Sequence, residues 1–295
     1  MSAMFGSIHG QVGHADGHRR GRYFALLVGV AALALASAPS AHASSVVKEE
    51  FAPFAACPVE TAAVCAVAST EGGEFVLGRK AVTITKTITL QGGLPTKELT
   101  PQSLIGATNG ETLSHTPLTV PGGLLGIEGL GGEVTATAEL AGPPSSVIIR
   151  EFQFVAGLEA AVTLPLKIKL SNEVLGENCY IGSDAEPIVL NLTTGATHPP
   201  APAESLKGSH GTFTGLDKDR IHVYHGTSLV DNDFAVPGAS GCGGELAPLV
   251  DLTVDADVGL PASPGQSKAV MNGTLEETAA ELAKKYLPKP KKKKK

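Results

Sequence analysis

The stretch Ala81–Gln91, "AVTITKTITLQ", carries the clearest structural pattern in this chain. Apolar side chains recur at Val82, Ile84, Ile88 and Leu90, and threonines occupy the alternate positions. A period of two built from β-branched residues is typical of a strand with one buried and one wetted face, and it does not fit a helix. We therefore predict one strand over this stretch and an antiparallel sheet around it.

The rest of the chain has the composition of an all-β protein. It has 35 Gly and 20 Pro in 295 residues, and only 4% of its residues are aromatic. Short alternating runs separated by Gly, Pro, Asn and Asp favour an antiparallel sandwich or a barrel-like domain. Further strands are predicted over Glu133–Leu140, Ser146–Gly157, Ala161–Leu170, Pro187–Thr193, Arg220–Tyr224, Ser228–Ala235 and Leu249–Val258.

The C-terminal part departs from this pattern. Residues Asn272–Leu287 combine a capping box, formed by Thr274 and Glu277, with an apolar face, so one helix is predicted there. Lysines and two prolines fill 288–295, and a block of like charge stays disordered because it repels itself. The predicted organisation is a disulfide-containing β domain over 44–271, then the helix, then a disordered basic tail.

Residues 1–43 have the three-part pattern of a secretory signal peptide. Three arginines precede the apolar run Tyr23–Ala38, and the small residues Ala41 and Ala43 supply a cleavage site. A transmembrane anchor fits less well, because the run is about 16 residues long and a span needs roughly 20. We expect a secreted, extracellular or cell-wall-associated protein with no span after signal removal. General secretion is favoured over the twin-arginine route, which stays open.

Four cysteines, Cys57, Cys65, Cys179 and Cys242, stand in the exported part. A small even number in a secreted chain predicts two disulfides. Three pairings are possible, and the sequence does not choose among them. We favour Cys57–Cys65 and Cys179–Cys242 because each pair lies within one stretch of chain. A metal site is not expected, since there is no CxxC and no His stands suitably beside a Cys.

Charge divides the chain into an acidic body and a basic end. Residues 44–283 hold 12 basic and 28 acidic side chains, a net charge of −16. The eight lysines that follow are Lys284, Lys285, Lys289, Lys291, Lys292, Lys293, Lys294 and Lys295. Each is worth about 1 kcal/mol near an anionic surface, so anionic cell-wall polymers or a membrane surface are candidate partners. Specific nucleic acid is not expected, because the acidic, aromatic-poor body would repel it.

Two motifs invite comparison with catalytic sites. Ser240 lies in "PGASGCGG", but Cys242 stands where the G-x-S-x-G pattern requires Gly. The glycines are explained equally by tight turns beside a disulfide. His222 and His225 lie in "RIHVYHG", where a spacing of three on a strand places them on opposite faces. His222 and Tyr224 should share a face, and we interpret them as polar residues of an ordinary strand.

A third candidate is the acidic run "DLTVDADV". It places Asp251, Asp255 and Asp257 on the polar face of the strand predicted there. Asp255 and Asp257 would lie roughly 6.5–7 Å apart by strand rise, which suits an inverting glycosidase pair or a weak calcium site. A solvated strand face explains them equally. Nucleotide-binding, haem and H-E-x-x-H motifs are absent from the sequence, so no nucleotide, cofactor or metal is expected.

Three segments carry a likeness to known proteins. They are "FAPFAACP" (51–58), "LSNEVLGENCYIGSDAEPIVLNLTTG" (170–195) and "SLVDNDFAVPGASGCGG" (228–244). Together they resemble a group of secreted actinobacterial proteins with no assigned activity, over most of the chain up to about Asn272. The Cys-Tyr-Ile-Gly-Ser and Gly-Cys-Gly segments recur in that group, which supports pairing Cys179 with Cys242. The resemblance implies no catalytic residues.

These observations favour a secreted, non-catalytic β-sandwich protein that associates with the cell envelope or binds another surface. The alternative is an extracellular hydrolase of glycans or esters, and a third hypothesis is a structural, coat-like component. An enzyme requires carboxylates or a Ser/His pair converging in a cleft. A binding protein requires only an exposed face or loop, such as the Gly- and Pro-rich segment Gly92–Gly132. We leave catalysis open and favour binding.

Overall fold

The structure, a computed structural model, describes residues 49–123 and 133–287. The strands are β1 (Val64–Leu77), β2 (Lys80–Thr83), β3 (Ile88–Leu94), β4 (Gln102–Ser103), β5 (Ile105–Gly106), β6 (Leu118–Thr119), β7 (Thr135–Leu140), β8 (Ile148–Ile149), β9 (Val162–Ser171), β10 (Tyr180–Ile181), β11 (Ile188–Leu192), β12 (Thr212–Leu216), β13 (Ile221–Asp231), β14 (Ala239–Ser240) and β15 (Lys268–Ala279). The helices are α1 (Glu151–Ala156), α2 (Ala247–Val258) and α3 (Ala280–Tyr286), with 3-10 turns at Ala52–Ala56, Pro144–Ser146 and Gly244–Leu246.

Two antiparallel sheets face each other. Sheet A has the order β12-β13-β15-β1-β3-β5, with β2 also paired to β1. Sheet B has the order β14-β10-β9-β7-β6, with β8 and β11 also paired to β9, and β4 to β8. Neither sheet closes on itself, so the prediction of an all-β antiparallel sandwich is confirmed and the barrel is not formed. The sheets meet at one corner, where Thr193 and Val230 exchange two backbone hydrogen bonds of 2.9 Å.

The stretch Ala81–Gln91 contributes to two strands, β2 and β3, so the prediction of one continuous strand is wrong. Strands β2 and β3 run along the same edge of β1 and are separated by residues 84–87. The gap lies beside a bulge in β1 between Thr70 and Gly72. A bulge adds an unpaired residue and disrupts the local ladder, so the neighbouring strand cannot keep its register across it. Ile84 remains buried and donates its N–H to the carbonyl of Gly73 at 3.0 Å.

The two longest strands, β1 and β15, escaped prediction. The helix predicted over Asn272–Leu287 is wrong in its first half, because the chain stays extended to Ala279 and becomes helical only at Ala280. Strand β15 pairs with β1 on one edge and with β13 on the other. These two rows of backbone hydrogen bonds outweigh helix propensities, which differ by less than about 1 kcal/mol per residue.

The strand predicted over Leu249–Val258 is also wrong, because this segment forms α2. Pro248 stands in the first turn, where a missing N–H costs nothing. Gly259, with φ of 81°, ends the helix in the left-handed region, which favours glycine. The alternation of Val, Thr and Asp that favoured a strand therefore lies on a helix.

The remaining strand predictions divide into confirmed and corrected ones. Strands β7, β9 and β11 confirm three of the predicted ranges, with bounds shifted by one or two residues. The range Ser146–Gly157 was wrong as a single strand, because it holds β8 and then α1. The ranges Arg220–Tyr224 and Ser228–Ala235 were predicted as two strands but contribute to one, β13, which has a bulge between His225 and Thr227 and ends at Asp231.

Apolar side chains form two cores. The larger lies between the sheets and includes the Cys179–Cys242 disulfide. The smaller lies on the outer face of sheet A, where Phe51 and Phe54 pack with α3 and with the Cys57–Cys65 disulfide. The favoured cysteine pairing is thus confirmed, and two disulfides are typical of an oxidising environment. Of the described helices, none is long and apolar enough to cross a bilayer.

A candidate binding cavity between the sheets

A cavity of about 390 Å³ lies between the sheets, within the roughly 300–1,000 Å³ range of small-molecule sites. Sheet A provides its floor, sheet B and α1 provide its opposite wall, and the segment after β3 closes one side. Its apolar lining includes Ile88, Leu90, Leu104, Leu113, Ile149, Phe154, Val162, Leu164, Leu192, Leu229, Met271 and Leu275. Well-packed interiors hold few voids larger than a water molecule, so this space is a feature to be explained.

Small side chains on the two central strands create the floor. Ala66, Ala68 and Thr70 of β1 line the cavity, and they alternate along the strand as residues on one face must. Across the ladder, Ala68 pairs with Leu275 and Thr70 pairs with Gly273 of β15. In this region β1 thus presents only small side chains to sheet B, and Gly273 adds a gap between Met271 and Leu275 on β15.

Gly273 is required by the sheet itself. A Cβ at this position would lie 1.8 Å from the carbonyl oxygen of Ser69, so no other residue fits without moving the backbone. The glycine stands beside the bulges of both neighbouring strands. It therefore keeps β15 close to β1 while it leaves space above the sheet.

Helix α1 forms the wall nearest the mouth and is held at both ends. At its start, the Arg150 guanidinium donates to Thr163 Oγ1 at 2.9 Å. At its end, Thr194 Oγ1 donates to the carbonyl of Phe154 at 2.6 Å, and Thr193 Oγ1 donates to that of Leu158 at 2.9 Å. Phe154 points inward, with its ring edge-on to Tyr224 at a centroid distance of 5.1 Å. The short helix is thus fixed over the cavity by contacts beyond its own turns.

The mouth is marked by exposed apolar side chains. Leu99, Phe152 and Val155 line the cavity, yet each is more than half exposed. Leu158, two residues beyond the end of α1, is 58% exposed. A single exposed apolar residue needs no explanation, but several around one opening mark a place where apolar molecules can enter.

Two carboxyl groups lie at the polar end of this apolar space. Glu277 projects from β15 and Glu151 from the first turn of α1, and both line the cavity. Burial raises the pKa of Glu277 to about 8, and the negative charge of Glu151 adds to that rise. Burial also raises the pKa of Glu151, whose Oε1 atom is buried without a hydrogen-bond partner. No described Lys, Arg or His side chain forms an ion pair with either group.

Aromatic side chains lie on β12 and β13, beside Glu277 of β15. The ring of Phe213 lies 5.3 Å from that of Tyr224 and 5.4 Å from that of His222. His222 stands directly across the ladder from Glu277, and both His222 and Tyr224 line the cavity. Burial raises the pKa of Tyr224, and the nearby charges of Glu277 and Glu151 raise it further. The predicted shared face of His222 and Tyr224 is confirmed, and that face is the cavity floor.

The other residues considered from sequence take structural positions. Asp251 accepts hydrogen bonds from the backbone N–H of Cys242 at 2.8 Å and of Gly241 at 3.3 Å. Asp255 accepts one from Ala239 at 2.7 Å. Spaced four apart on α2, these carboxylates hold the turn that carries the disulfide. The prediction that Asp251, Asp255 and Asp257 share one face of a strand is therefore wrong, because this segment is helical.

The other candidate residues, Asp257, Ser240 and His225, do not form a common site with Asp251 and Asp255. Asp257 forms an ion pair of 2.9 Å with Lys80. Ser240 is exposed and pairs with Tyr180 in sheet B, while His225 is exposed beyond the row that lines the cavity. Within residues 49–123 and 133–287, no group of three or more His, Cys, Asp or Glu is placed to hold a metal ion.

Two of the eight lysines named for surface contact lie within the described chain. Lys284 forms an ion pair of 2.6 Å with Glu60, and Lys285 lies 5.0 Å from the ring centroid of Tyr286. Tyr286 in turn packs on Phe51 at 4.9 Å. The other six, Lys289 and Lys291 to Lys295, lie outside the described residues, as does the segment 288–295. The start of the basic end is thus part of the folded body.

Comparisons with protein-family models, with curated proteins and with solved structures gave no match. The candidate site therefore depends on its own geometry. Sequence reasoning missed Glu151 and Glu277 as site residues, because the first stood in a predicted strand and the second in a predicted helix. A row of Ala, Thr and Gly residues on a strand is the one sequence signal that accompanies the cavity.

Proposed function

We propose that this protein is a secreted, non-catalytic binding protein that holds a small apolar molecule in the cavity between its sheets. The observation that carries the proposal is the size and composition of this cavity, whose surface is mostly apolar and which opens among exposed Leu99, Phe152 and Val155. Transfer of apolar surface from water into such a site gains about 25 cal/mol per Å² of ligand surface. A ligand therefore gains affinity from burial alone.

Secretion belongs to the same proposal. The signal-peptide pattern of residues 1–43 and the two disulfides support it. A carrier of apolar molecules is most useful in an aqueous space between surfaces, which suits a protein outside the cell. The resemblance to secreted actinobacterial proteins points in the same direction.

A fluorescent apolar probe tests the cavity. N-phenyl-1-naphthylamine should increase in fluorescence when it enters, and Ala68→Leu, which places a larger side chain on the floor, should reduce its affinity at least about tenfold. Ala138→Leu is the matched control, because Ala138 lies between the sheets but outside this cavity. Equal probe binding by both variants would place the ligand elsewhere and overturn the proposal.

Contact with an anionic envelope through the lysine tail is the second part of the proposal. The chain should be truncated after Leu287, because Lys284 and Tyr286 already contact the body. We expect the intact protein to sediment with producer envelopes at low salt and to be released at high salt, since exposed charges are screened. Equal release of intact and truncated proteins at low salt would remove the tail from the proposed function.

The hydrolase alternative stays a prediction. The carboxylate pair considered for it, Asp255 and Asp257, does not lie on a strand face. Asp251 and Asp255 are engaged by backbone N–H groups, and Asp257 is paired with Lys80. The carboxyls that share the cavity, Glu151 and Glu277, stand in an apolar lining that does not suit a glycan. No observation favours this alternative over binding.

A further inference from the structure

We propose, on the basis of the binding function above, that the ligand is an amphiphilic cation: an apolar body with an ammonium group placed between Glu151 and Glu277. The apolar part occupies the space above Ala68 and Gly273, and the charged group lies at the acidic, aromatic end. The proposal deepens the binding function by naming the chemical class of the ligand.

The first argument is electrostatic. Glu151 and Glu277 line one apolar cavity, and no described cation forms an ion pair with either. Glu151 Oε1 is buried and makes no hydrogen bond. Buried charges in proteins are normally paired, and an unpaired one is costly. A ligand that brings a positive charge supplies the missing partner, whereas a carboxylate ligand adds repulsion.

The second argument is the aromatic content of the same end. The chain has no Trp and only 13 Phe and Tyr residues, yet Tyr224 contacts both Phe154 and Phe213 there, and Phe154 and Tyr224 line the cavity. Aromatic faces attract cations, by about 0.5–2 kcal/mol according to solvent exposure. Carboxylates and aromatic rings together make a receptor for an ammonium group, and neither element is needed to bind a hydrocarbon chain.

Proton linkage agrees with this geometry. Burial raises the pKa of Glu277 to about 8 and the charge of Glu151 adds to that rise, so Glu277 is largely protonated at neutral pH while no ligand is bound. A bound cation favours the ionised form and should release that proton. The titratable groups that face Glu277 are Glu151 on α1 and His222 and Tyr224 on β13.

The test compares three ligands with the same hydrocarbon chain. Dodecylamine, dodecanol and dodecanoate are used to displace the fluorescent probe from the full-length protein at neutral pH. We expect dodecylamine to bind at least about tenfold more tightly than dodecanol, as a charge-assisted contact allows, and dodecanoate to bind most weakly. Equal affinity of the amine and the alcohol, or tighter binding of the carboxylate, overturns the inference and leaves the apolar site intact.

Two variants test whether Glu151 and Glu277 cause the preference for dodecylamine over dodecanol. Glu277→Gln mimics the protonated form and should preserve the fold, and Glu151→Gln removes the other charge from a different element. Each should lower the affinity for dodecylamine about tenfold and leave that for dodecanol unchanged. A parallel loss for both ligands would indicate damage to the cavity and count against a charge-specific role.

A pH series separates the two proposals further. Dodecyltrimethylammonium carries a charge that does not titrate, and its affinity should rise from pH 6 to pH 9 in the native protein as Glu277 ionises. The rise should be smaller in Glu277→Gln. A flat profile in the native protein contradicts the inference. Failure of all the ligands and of the probe to bind would instead refute the proposed function itself.

Discussion

The two ends of the space between the sheets are built from the same strands, yet one is hollow and the other is filled. On β9, Leu164 borders the large cavity, whereas Leu166 and Ile168 border a second space of only about 70 Å³. The stretch Ala81–Gln91 crosses both ends, since Leu90 lines the first and Val82 lines the second.

The floor accounts for the difference. At the hollow end β1 contributes Ala66, Ala68 and Thr70, whereas at the filled end it contributes Phe75 and Leu77. The same backbone ladder thus supports both a void and a packed core, and side-chain volume decides between them. A void forfeits dispersion contacts and stability, so its presence beside a well-filled core is most simply explained by a ligand. We call these regions the hollow end and the filled end.

Truncating a leucine at each end should give the largest contrast. Leu166→Ala should lower the free energy of unfolding by about 2–5 kcal/mol, because it opens a cavity in a packed core. Leu164→Ala on the same strand should cost less, because its side chain already borders empty space. Denaturant unfolding with an unchanged m-value measures both. Equal losses would show that the hollow end is filled in solution.

The pH dependence of stability should come mainly from the hollow end. Because the pKa of Glu277 is raised to about 8 in the folded state, the folded state binds more protons than the unfolded state above pH 4.5. The unfolding free energy should therefore fall as pH rises from about 4.5 to 8 and then level off, with Glu151 adding to the fall.

Thermal unfolding at a series of pH values checks this prediction. Glu277→Gln should flatten the profile in that window, because the substituted side chain does not titrate. A native profile that rises with pH through this window would contradict the inferred burial of the two acids.

Adding side-chain volume at each end should give the smallest difference in stability between the two ends, and the most diagnostic one. Ala138→Leu at the filled end should destabilise the protein by about 1–3 kcal/mol through overpacking. Ala68→Leu at the hollow end should change stability by less than about 1 kcal/mol, because the added atoms enter existing space. Chemical denaturation of the two variants side by side is the measurement. If Ala68→Leu is as damaging as Ala138→Leu, the cavity does not accept apolar volume.

Strand predictions succeeded where a segment is bulky on one face and wetted on the other. Strands β9 and β11 were found because branched apolar residues alternate along them or follow one another. Strand β1 was missed because its inner face carries Ala66, Ala68 and Thr70, which contribute little to an apolar pattern. The small side chains that leave the cavity open are thus the ones that weaken the apolar pattern by which β1 could have been predicted.

Secondary-structure predictions from local sequence failed where contacts with distant residues favoured another conformation. The segment around Glu277 has a helical start signal, but its position between two strands makes it extended. The segment Leu249–Val258 alternates like a strand, but it turns into a helix that offers Asp251 and Asp255 to the disulfide-bearing turn. In both cases hydrogen bonds to distant residues outweigh preferences of a few tenths of a kcal/mol per residue.

By itself, the sequence determined the fold class and the division into acidic body and basic end, and it favoured one cysteine pairing by proximity without deciding it. These follow from composition, spacing and charge, which are local properties. Only the tertiary structure brought Glu151 and Glu277, which are 126 positions apart, to one end of an apolar space. That juxtaposition depends on strand register and on the volume of side chains from both sheets, which no local pattern records.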